Sequence, residues 1–76
     1  MDKPIGQLIK EELASQEHTV TWLAKQLNCH RVNVYNIFRR DNIDLALLIQ
    51  ISKVLHRNFI KEIANEVEDS IEIKWN

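Results

Sequence analysis

Apolar residues recur along this chain at the spacing of amphipathic helices. In the first segment they are Ile5, Leu8, Ile9 and Leu13, so that intervals of three and four residues place them on one helical face. The same periodicity continues through most of the sequence. It predicts five helices, over about residues 4–15, 20–27, 31–38, 45–55 and 59–67.

Residues typical of helix ends flank these segments. Thr19, Asp44 and Asn58 precede the second, fourth and fifth helices as N-caps, and Asp2 with Pro4 marks the start of the first. Asn28 follows the second helix and tolerates the left-handed conformation that ends many helices. With a single Gly and a single Pro, the chain favours helices with tight connections over a turn-rich β fold. We therefore predict an all-α fold.

The later helices present residues that the periodicity places inward. For the third helix these are Val34, Ile37 and Phe38. For the fourth and fifth helices they are Leu45, Leu48, Ile51, Ser52, Leu55, Phe59, Ile63 and Val67.

The spacing of the apolar residues changes at the C-terminal end of the sequence. In residues 70–76, Ile71, Ile73 and Trp75 alternate with charged residues, which is the period of two of a strand. This predicts a helical domain over residues 1–69 and a short extended tail over 70–76. One strand is not stable alone, so the tail pairs with another chain, packs on the helices or frays.

The charge distribution indicates an anionic partner. The net charge of −1 argues against a nucleic-acid binder when taken alone. Between residues 18 and 40, however, there is no acidic residue, whereas Lys25, Arg31, Arg39 and Arg40 lie there. A segment of one sign inside a balanced chain points to a local negatively charged ligand.

The chain length, the cysteine count and the lengths of the apolar runs narrow the class of protein further. Seventy-six residues form one domain at most, and the single cysteine, Cys29, cannot form an internal disulfide, which suits a reducing compartment. No apolar run approaches the length of a membrane span. We expect a cytoplasmic protein with no membrane partner.

Neither a metal site nor a catalytic centre is indicated. Cys29 and His30 are adjacent, while His18 and His56 lie far along the chain, which does not match zinc-ligand spacing. No serine has patterned His and Asp partners, and Gly6 stands alone, so a glycine-rich phosphate loop is missing. We expect no metal, no cofactor and no enzymatic activity.

The second and third helices carry the most informative pattern. They are joined by Asn28, Cys29 and His30, and the small Ala24 lets them approach closely. The stretch TVTWLAKQLNCHRVNVYNIFRR, followed by IDLALLIQISKVL, resembles the phage repressor and Cro family of helix-turn-helix proteins over about residues 5–66. The shared positions are Thr19, Leu23, Ala24, Leu27, Val34, Ile37, Leu48, Ile51 and Leu55.

This resemblance implies a compact five-helix lambda-repressor-like domain that binds double-stranded DNA, with residues 31–38 as the recognition helix in the major groove. Two positions depart from the family. Asn28 stands where Gly is usual, and His30 stands where Ser or Thr often caps the recognition helix, so His30 either caps through its ring or faces a phosphate.

The resemblance also implies roles for individual residues. Arg31 suits guanine, Val32 a thymine methyl group and Asn33 adenine. The full set of implied base contacts is Arg31, Val32, Asn33, Tyr35 and Asn36. The implied phosphate contacts are Thr19, Thr21, His30, Arg39 and Arg40.

These expectations define a small transcriptional regulator that binds palindromic sites as a homodimer. Two alternatives reuse the same scaffold: a protein-interaction module without DNA binding, and an antitoxin that binds both DNA and a toxin. In both alternatives, the tail over 70–76 provides the surface for a protein partner. An RNA binder is disfavoured because the sequence lacks an aromatic stacking platform.

Overall fold

Five helices and no strand make up residues 3–71, the part of the chain that the computed structural model describes. The all-α prediction is confirmed. The helices are α1 (Ile5–Ser15), α2 (Val20–Gln26), α3 (Arg31–Phe38), α4 (Leu45–Leu55) and α5 (Phe59–Ser70).

Three of the predicted N-caps are confirmed. The side chains of Thr19, Asp44 and Asn58 each accept a hydrogen bond from a backbone N–H three residues later, at 2.9–3.1 Å. Each bond satisfies one of the amide groups that a helix start leaves without an intrahelical partner. Pro4 precedes α1 and provides no side-chain cap. The predicted cap Asp2 lies outside the described residues.

Left-handed residues end three of the helices, and none of them is glycine. Glu17, Asn28 and His56 have φ angles of 60°, 55° and 55°. After α2, the N–H of Asn28 bonds to the Lys25 carbonyl and the N–H of Cys29 bonds to the Ala24 carbonyl. This pair of bonds is a Schellman motif. The prediction that Asn28 ends the second helix in the left-handed conformation is confirmed.

The core joins all five helices. Helix α3 packs against α1 and α2, and α4 packs against α5. Leu23, Val34, Ile51, Leu55 and Phe59 are fully enclosed. Burying such side chains supplies most of the driving force for folding, at about 2 kcal/mol each. The other buried apolar residues are Ile5, Ile9, Leu13, Ala24, Leu27, Ile37 and Leu48.

The only glycine of the chain lies where α1 meets the end of α3. The N–H of Gly6 donates to the Arg40 carbonyl at 3.0 Å. A Cβ atom on Gly6 would lie 2.7 Å from the carbonyl oxygens of Phe38 and Arg40 and closer still to that of Ile37. Glycine therefore lets the two backbones approach closely and holds the end of α3 in place.

A charged cluster connects α1 with the α4–α5 junction. Arg57 donates to Glu12 at 2.9 Å and to both carboxylate oxygens of Glu62, and its guanidinium lies 4.9 Å from the centre of the Phe59 ring. Gln16 donates to Glu12 and to the Leu55 carbonyl. The hydrogen bonds from Arg57 hold the pKa of the Glu62 carboxyl below its ordinary value, against a smaller effect of burial.

Two inward positions were wrongly predicted. Leu45 is 62% exposed because it opens α4 at the margin of the apolar stripe, where none of the other helices within residues 3–71 covers it. Val67 is 50% exposed because α5 has extended beyond the core at that point, whereas Phe59 at its start is fully buried. Ser52 and Ile63 are half-buried.

The fifth helix ends later than the predicted residue 67. Helix α5 continues to Ser70, so the division at residues 69 and 70 falls inside its last turn. Ile71 follows with its N–H bonded to the Val67 carbonyl. An extended conformation is therefore wrong for Ser70, and the remaining part of that prediction, residues 72–76, lies outside the described residues.

Candidate nucleic-acid interface

The outer face of α3 is open to solvent along its whole length. Val34 and Ile37 face the core, and the five predicted base-contacting residues occupy the opposite side. Val32 is the most exposed large apolar residue of the described chain at 66%, and Tyr35 is 50% exposed. Arg31, Asn33 and Asn36 are exposed as well. The face offers a guanidinium, two amides, a phenol and an aliphatic side chain, and no carboxylate.

One flank of α3 forms an open groove with α1. Tyr35 packs edge-on against Phe38, with ring centres 6.3 Å apart, and both line this groove of about 560 Å³. Arg39 lines it too, as do Lys10 and Gln7 of α1. The groove therefore joins a predicted phosphate contact, Arg39, to a second cationic side chain on another helix.

Glu11 is the acidic residue of this groove. Lys3 donates to both of its carboxylate oxygens, with a shortest distance of 2.7 Å. This hydrogen bond from Lys3 lowers the pKa of the Glu11 carboxyl. The carboxylate consequently has a cationic partner within the protein, which reduces its repulsion of an anion bound nearby.

The other flank of α3 brings three of the predicted site residues together. Asn33, Asn36 and Arg40 line one groove of about 270 Å³, together with Leu47 of α4. Asn33 lies in α3 and Arg40 follows the end of that helix, so this flank extends the polar surface from predicted base contacts to a predicted phosphate contact. Cys29 lines the same groove and is half-buried.

The start of α2 presents the two threonines predicted to contact phosphate. Thr19 Oγ1 accepts from the N–H of Trp22 at 3.0 Å, which leaves its hydroxyl proton available to donate. Thr21 is exposed in the first turn of α2. Trp22 is half-buried and stacks on His18 with ring centres 3.6 Å apart. This stack supports the helix start that carries both hydroxyls.

His30 occupies the N-cap position of α3 without capping it through its ring. Its backbone is extended, and its side chain makes no cap hydrogen bond. The first of the two alternatives for His30 is therefore wrong, and the exposed ring is left available for a ligand. The role of His30 as a phosphate contact stays a prediction.

Metal-binding geometry is missing from the described residues. No three side chains of His, Cys, Asp or Glu within residues 3–71 lie close enough together to hold an ion. Over the same residues, no helix combines the length and apolar character needed to cross a membrane.

Comparison with known proteins adds no relative. The chain has no significant match among protein-family models, curated proteins or solved structures. The function therefore has to be argued from the surface of α3 and its flanks.

Sequence reasoning missed the contribution of α1. Lys10 and Gln7 lie beside Tyr35 and Arg39 only because the contact at Gly6 draws α1 against the end of α3. The signal in the sequence is weak. It consists of one glycine and two polar residues on the face of α1 that the apolar periodicity leaves outside.

Proposed function

We propose that this chain is a sequence-specific DNA-binding regulator that inserts α3 into the major groove of double-stranded DNA. The observation that carries the proposal is the face of α3, which is exposed throughout, free of acidic residues and bordered by grooves that contain Arg39 and Arg40. An α-helix fits the major groove, and these side-chain types match the donor and acceptor pattern of base edges.

The arrangement of α2 and α3 supports a helix-turn-helix of the lambda-repressor type. The two helices are short, pack against each other and are joined by a tight turn at Asn28. In that arrangement the first helix lies across the DNA backbone while the second reads bases. Thr19, Thr21 and His30 would then bind phosphates next to α3, and Arg39, Arg40 and Lys10 would bind them beyond it.

We further propose that the protein binds DNA as a homodimer on a palindromic site. Eight residues of α3 contact only a few base pairs, so two copies on adjacent half-sites provide the specificity that one copy lacks.

Selection from random-sequence duplex DNA tests the proposal directly. We expect an enriched palindrome whose binding weakens steeply between about 50 and 200 mM salt, because phosphate contacts release bound counterions. If no sequence is enriched and binding does not depend on salt, DNA binding is wrong. The exposed apolar side of α5 would then favour the protein-interaction module or the antitoxin.

Arg31 is the residue whose loss should affect base recognition most. We expect Arg31→Ala to lower affinity for the selected site by about 10-fold or more, corresponding to the loss of one good base contact. Helical content should stay unchanged because Arg31 is exposed. The measurement is a titration of the selected duplex and of a scrambled duplex, followed by fluorescence anisotropy.

The matched control for Arg31→Ala is Lys53→Ala. This variant also removes one positive charge, but Lys53 lies on α4 beside the α4–α5 junction. We expect a much smaller loss that is equal for both duplexes. Equal losses for both duplexes in Arg31→Ala would show that Arg31 contacts only phosphate.

A further inference from the structure

The groove beside α3 that contains Arg40 has the composition of a small-molecule site. It lies where the turn after α2, α3 and α4 come together, and its volume is about 270 Å³. Ligand pockets combine mostly apolar walls with a few polar groups, and drug-sized molecules occupy about 300–1,000 Å³. This groove is slightly smaller, so it suits a molecule smaller than a typical drug.

Part of the groove lining is apolar and reaches the core. Leu27 and Ile37 are core residues that are 8% and 4% exposed, and Leu47 is half-buried against the same core. Cys29 adds a half-buried thiol, which packs like a small apolar side chain. A hydrocarbon group that covers these side chains removes apolar surface from water, which favours binding.

The rest of the groove lining is cationic and rich in amides. Asn33, Asn36 and Arg40 contribute two carboxamides and a guanidinium, and none of the described residues that line the groove is acidic. These three side chains form no hydrogen bond or ion pair within residues 3–71. A guanidinium binds a carboxylate through two parallel hydrogen bonds, and amide N–H groups can donate to its remaining lone pairs.

We propose that this groove binds a small organic carboxylate, with the carboxylate on Arg40 and the hydrocarbon part against Leu27, Ile37 and Leu47. An inorganic anion would leave the apolar lining uncovered. An uncharged hydrocarbon would leave the guanidinium without a partner. A carboxylate with a short hydrocarbon chain meets both requirements of the lining.

A carboxylate in this groove would regulate DNA binding, and this part of the inference rests on the proposed function. Asn33 and Asn36 are predicted base contacts and Arg40 is a predicted phosphate contact, so the ligand and DNA require the same side chains. Each therefore lowers the apparent affinity of the protein for the other. Binding of the carboxylate would release the protein from its DNA site.

Titration with sodium hexanoate tests the site without DNA. We expect saturable shifts of the side-chain amide signals of Asn33 and Asn36 in proton–nitrogen correlation NMR spectra. The Kd should be on the order of 1 mM, because a ligand of this size makes few contacts. Acetate lacks the hydrocarbon chain and hexylammonium lacks the negative charge. Both should bind at least about 10-fold more weakly than hexanoate.

A matched pair of variants tests the role of Arg40. We expect Arg40→Ala to weaken hexanoate binding about 10-fold, because it removes the charge-assisted hydrogen bonds to the carboxylate. Lys53→Ala also removes one positive charge, but Lys53 lines a different cavity, beside the α4–α5 junction. This control should bind hexanoate like the native protein. Both residues are exposed, so circular dichroism should show unchanged helical content in both variants.

Cys29 reports independently whether the groove is occupied. It is the only cysteine of the chain, so alkylation by iodoacetamide gives a single mass shift. A molecule that fills the groove covers the thiol. Hexanoate at about ten times its Kd should therefore slow alkylation about 10-fold, because only the free fraction of the protein reacts. Acetate at the same concentration should leave the rate unchanged.

Three results would overturn the carboxylate site. The first is the absence of saturable shifts with hexanoate, and the second is equal affinity of Arg40→Ala and the native protein for it. The third is an unchanged alkylation rate of Cys29, which would place the ligand outside the groove. Because no DNA is present in these experiments, each result leaves the proposed DNA binding standing.

The competition with DNA is measured separately, by anisotropy titration of the selected duplex. Hexanoate at about ten times its Kd should weaken DNA binding about 10-fold relative to acetate at the same ionic strength. Unchanged DNA affinity in a protein that binds hexanoate would overturn the competition. A protein that binds hexanoate but no DNA would overturn the DNA-binding function and leave the carboxylate site standing.

Discussion

At the scale of single residues, the use of glycine is the most informative feature. Three helices end in left-handed residues, yet Glu17, Asn28 and His56 occupy those positions. The one glycine, Gly6, is placed at a close contact between α1 and α3, where any Cβ would meet carbonyl oxygens. At a helix end, Asn can adopt the left-handed conformation in place of glycine. At Gly6 the nearby carbonyl oxygens leave no space for any other side chain.

This difference gives Gly6→Ala an effect of unexpected sign. In an open helix, replacing Gly by Ala stabilises the fold by about 1 kcal/mol. At position 6 we expect a loss of about 2 kcal/mol, because the new methyl group pushes α1 away from the end of α3. The measurement is the free energy of unfolding in urea.

Gln7→Ala, at the next and exposed position of α1, is the control for Gly6→Ala and should be nearly neutral. A stabilised Gly6→Ala variant would show that the contact between α1 and the end of α3 leaves space for a methyl group at position 6.

At the scale of secondary-structure elements, the helix starts were predicted most reliably. Thr19, Asp44 and Asn58 cap α2, α4 and α5 as expected, because capping is local chemistry between a side chain and an amide three residues away. The end of α5 was predicted less well. Its last turn contains no strong stop signal, and the alternating apolar residues after Ser70 suggested a strand.

Variants of Thr19 and Thr21, at the start of α2, distinguish effects on stability from effects on DNA binding. Both are predicted phosphate contacts, but only Thr19 also caps the helix. We expect Thr19→Ala to lower the free energy of unfolding by about 1 kcal/mol and Thr21→Ala to leave it nearly unchanged. Both should weaken DNA binding.

Chemical denaturation and anisotropy titrations measure the two properties of these threonine variants independently. If Thr21→Ala binds DNA like the native protein, the start of α2 does not lie over the backbone as proposed.

At the scale of the whole molecule, distant segments are connected by the cluster around Arg57. Glu12 lies in α1, Glu62 in α5 and Arg57 in the turn between α4 and α5. The sequence did not reveal this cluster, since Glu12 and Arg57 are 45 residues apart. The contact supports the α1 helix, whose other side forms the groove with α3.

The cluster predicts a dependence of stability on pH. The pKa of Glu62 in the folded protein is below its ordinary value of 4.5, so its contribution is present above that value and is lost as the pH falls through the folded pKa. We expect Arg57→Ala to lower the free energy of unfolding by about 1.5 kcal/mol at neutral pH. At acidic pH the difference from the native protein should shrink, as Glu62 takes up a proton.

Urea unfolding at both pH values measures this dependence, with Lys53→Ala as the control that removes a neighbouring positive charge. A deficit of Arg57→Ala that is the same at both pH values would mean that its packing on Phe59, rather than its ion pairs, provides the stability.

The sequence by itself determined the elements of this protein. The periodicity of Leu23, Val34 and Ile51, the capping residues and the left-handed Asn28 specify five helices, because each depends on neighbours within about four residues. The acid-free stretch over 18–40 indicated the candidate binding surface in the same way. The resemblance of the sequence to repressor proteins suggested DNA binding, which the surface of α3 supports and which the experiments above can test.

Only the tertiary structure decided which parts of those elements meet. It placed Lys10 beside Arg39, joined Arg57 to Glu12, and left Leu45 and Val67 exposed although their spacing predicted burial. The reason is physical. Periodicity specifies the direction in which a side chain leaves its helix, whereas burial requires another element at that height along the helix. That second condition depends on the packing of the whole chain.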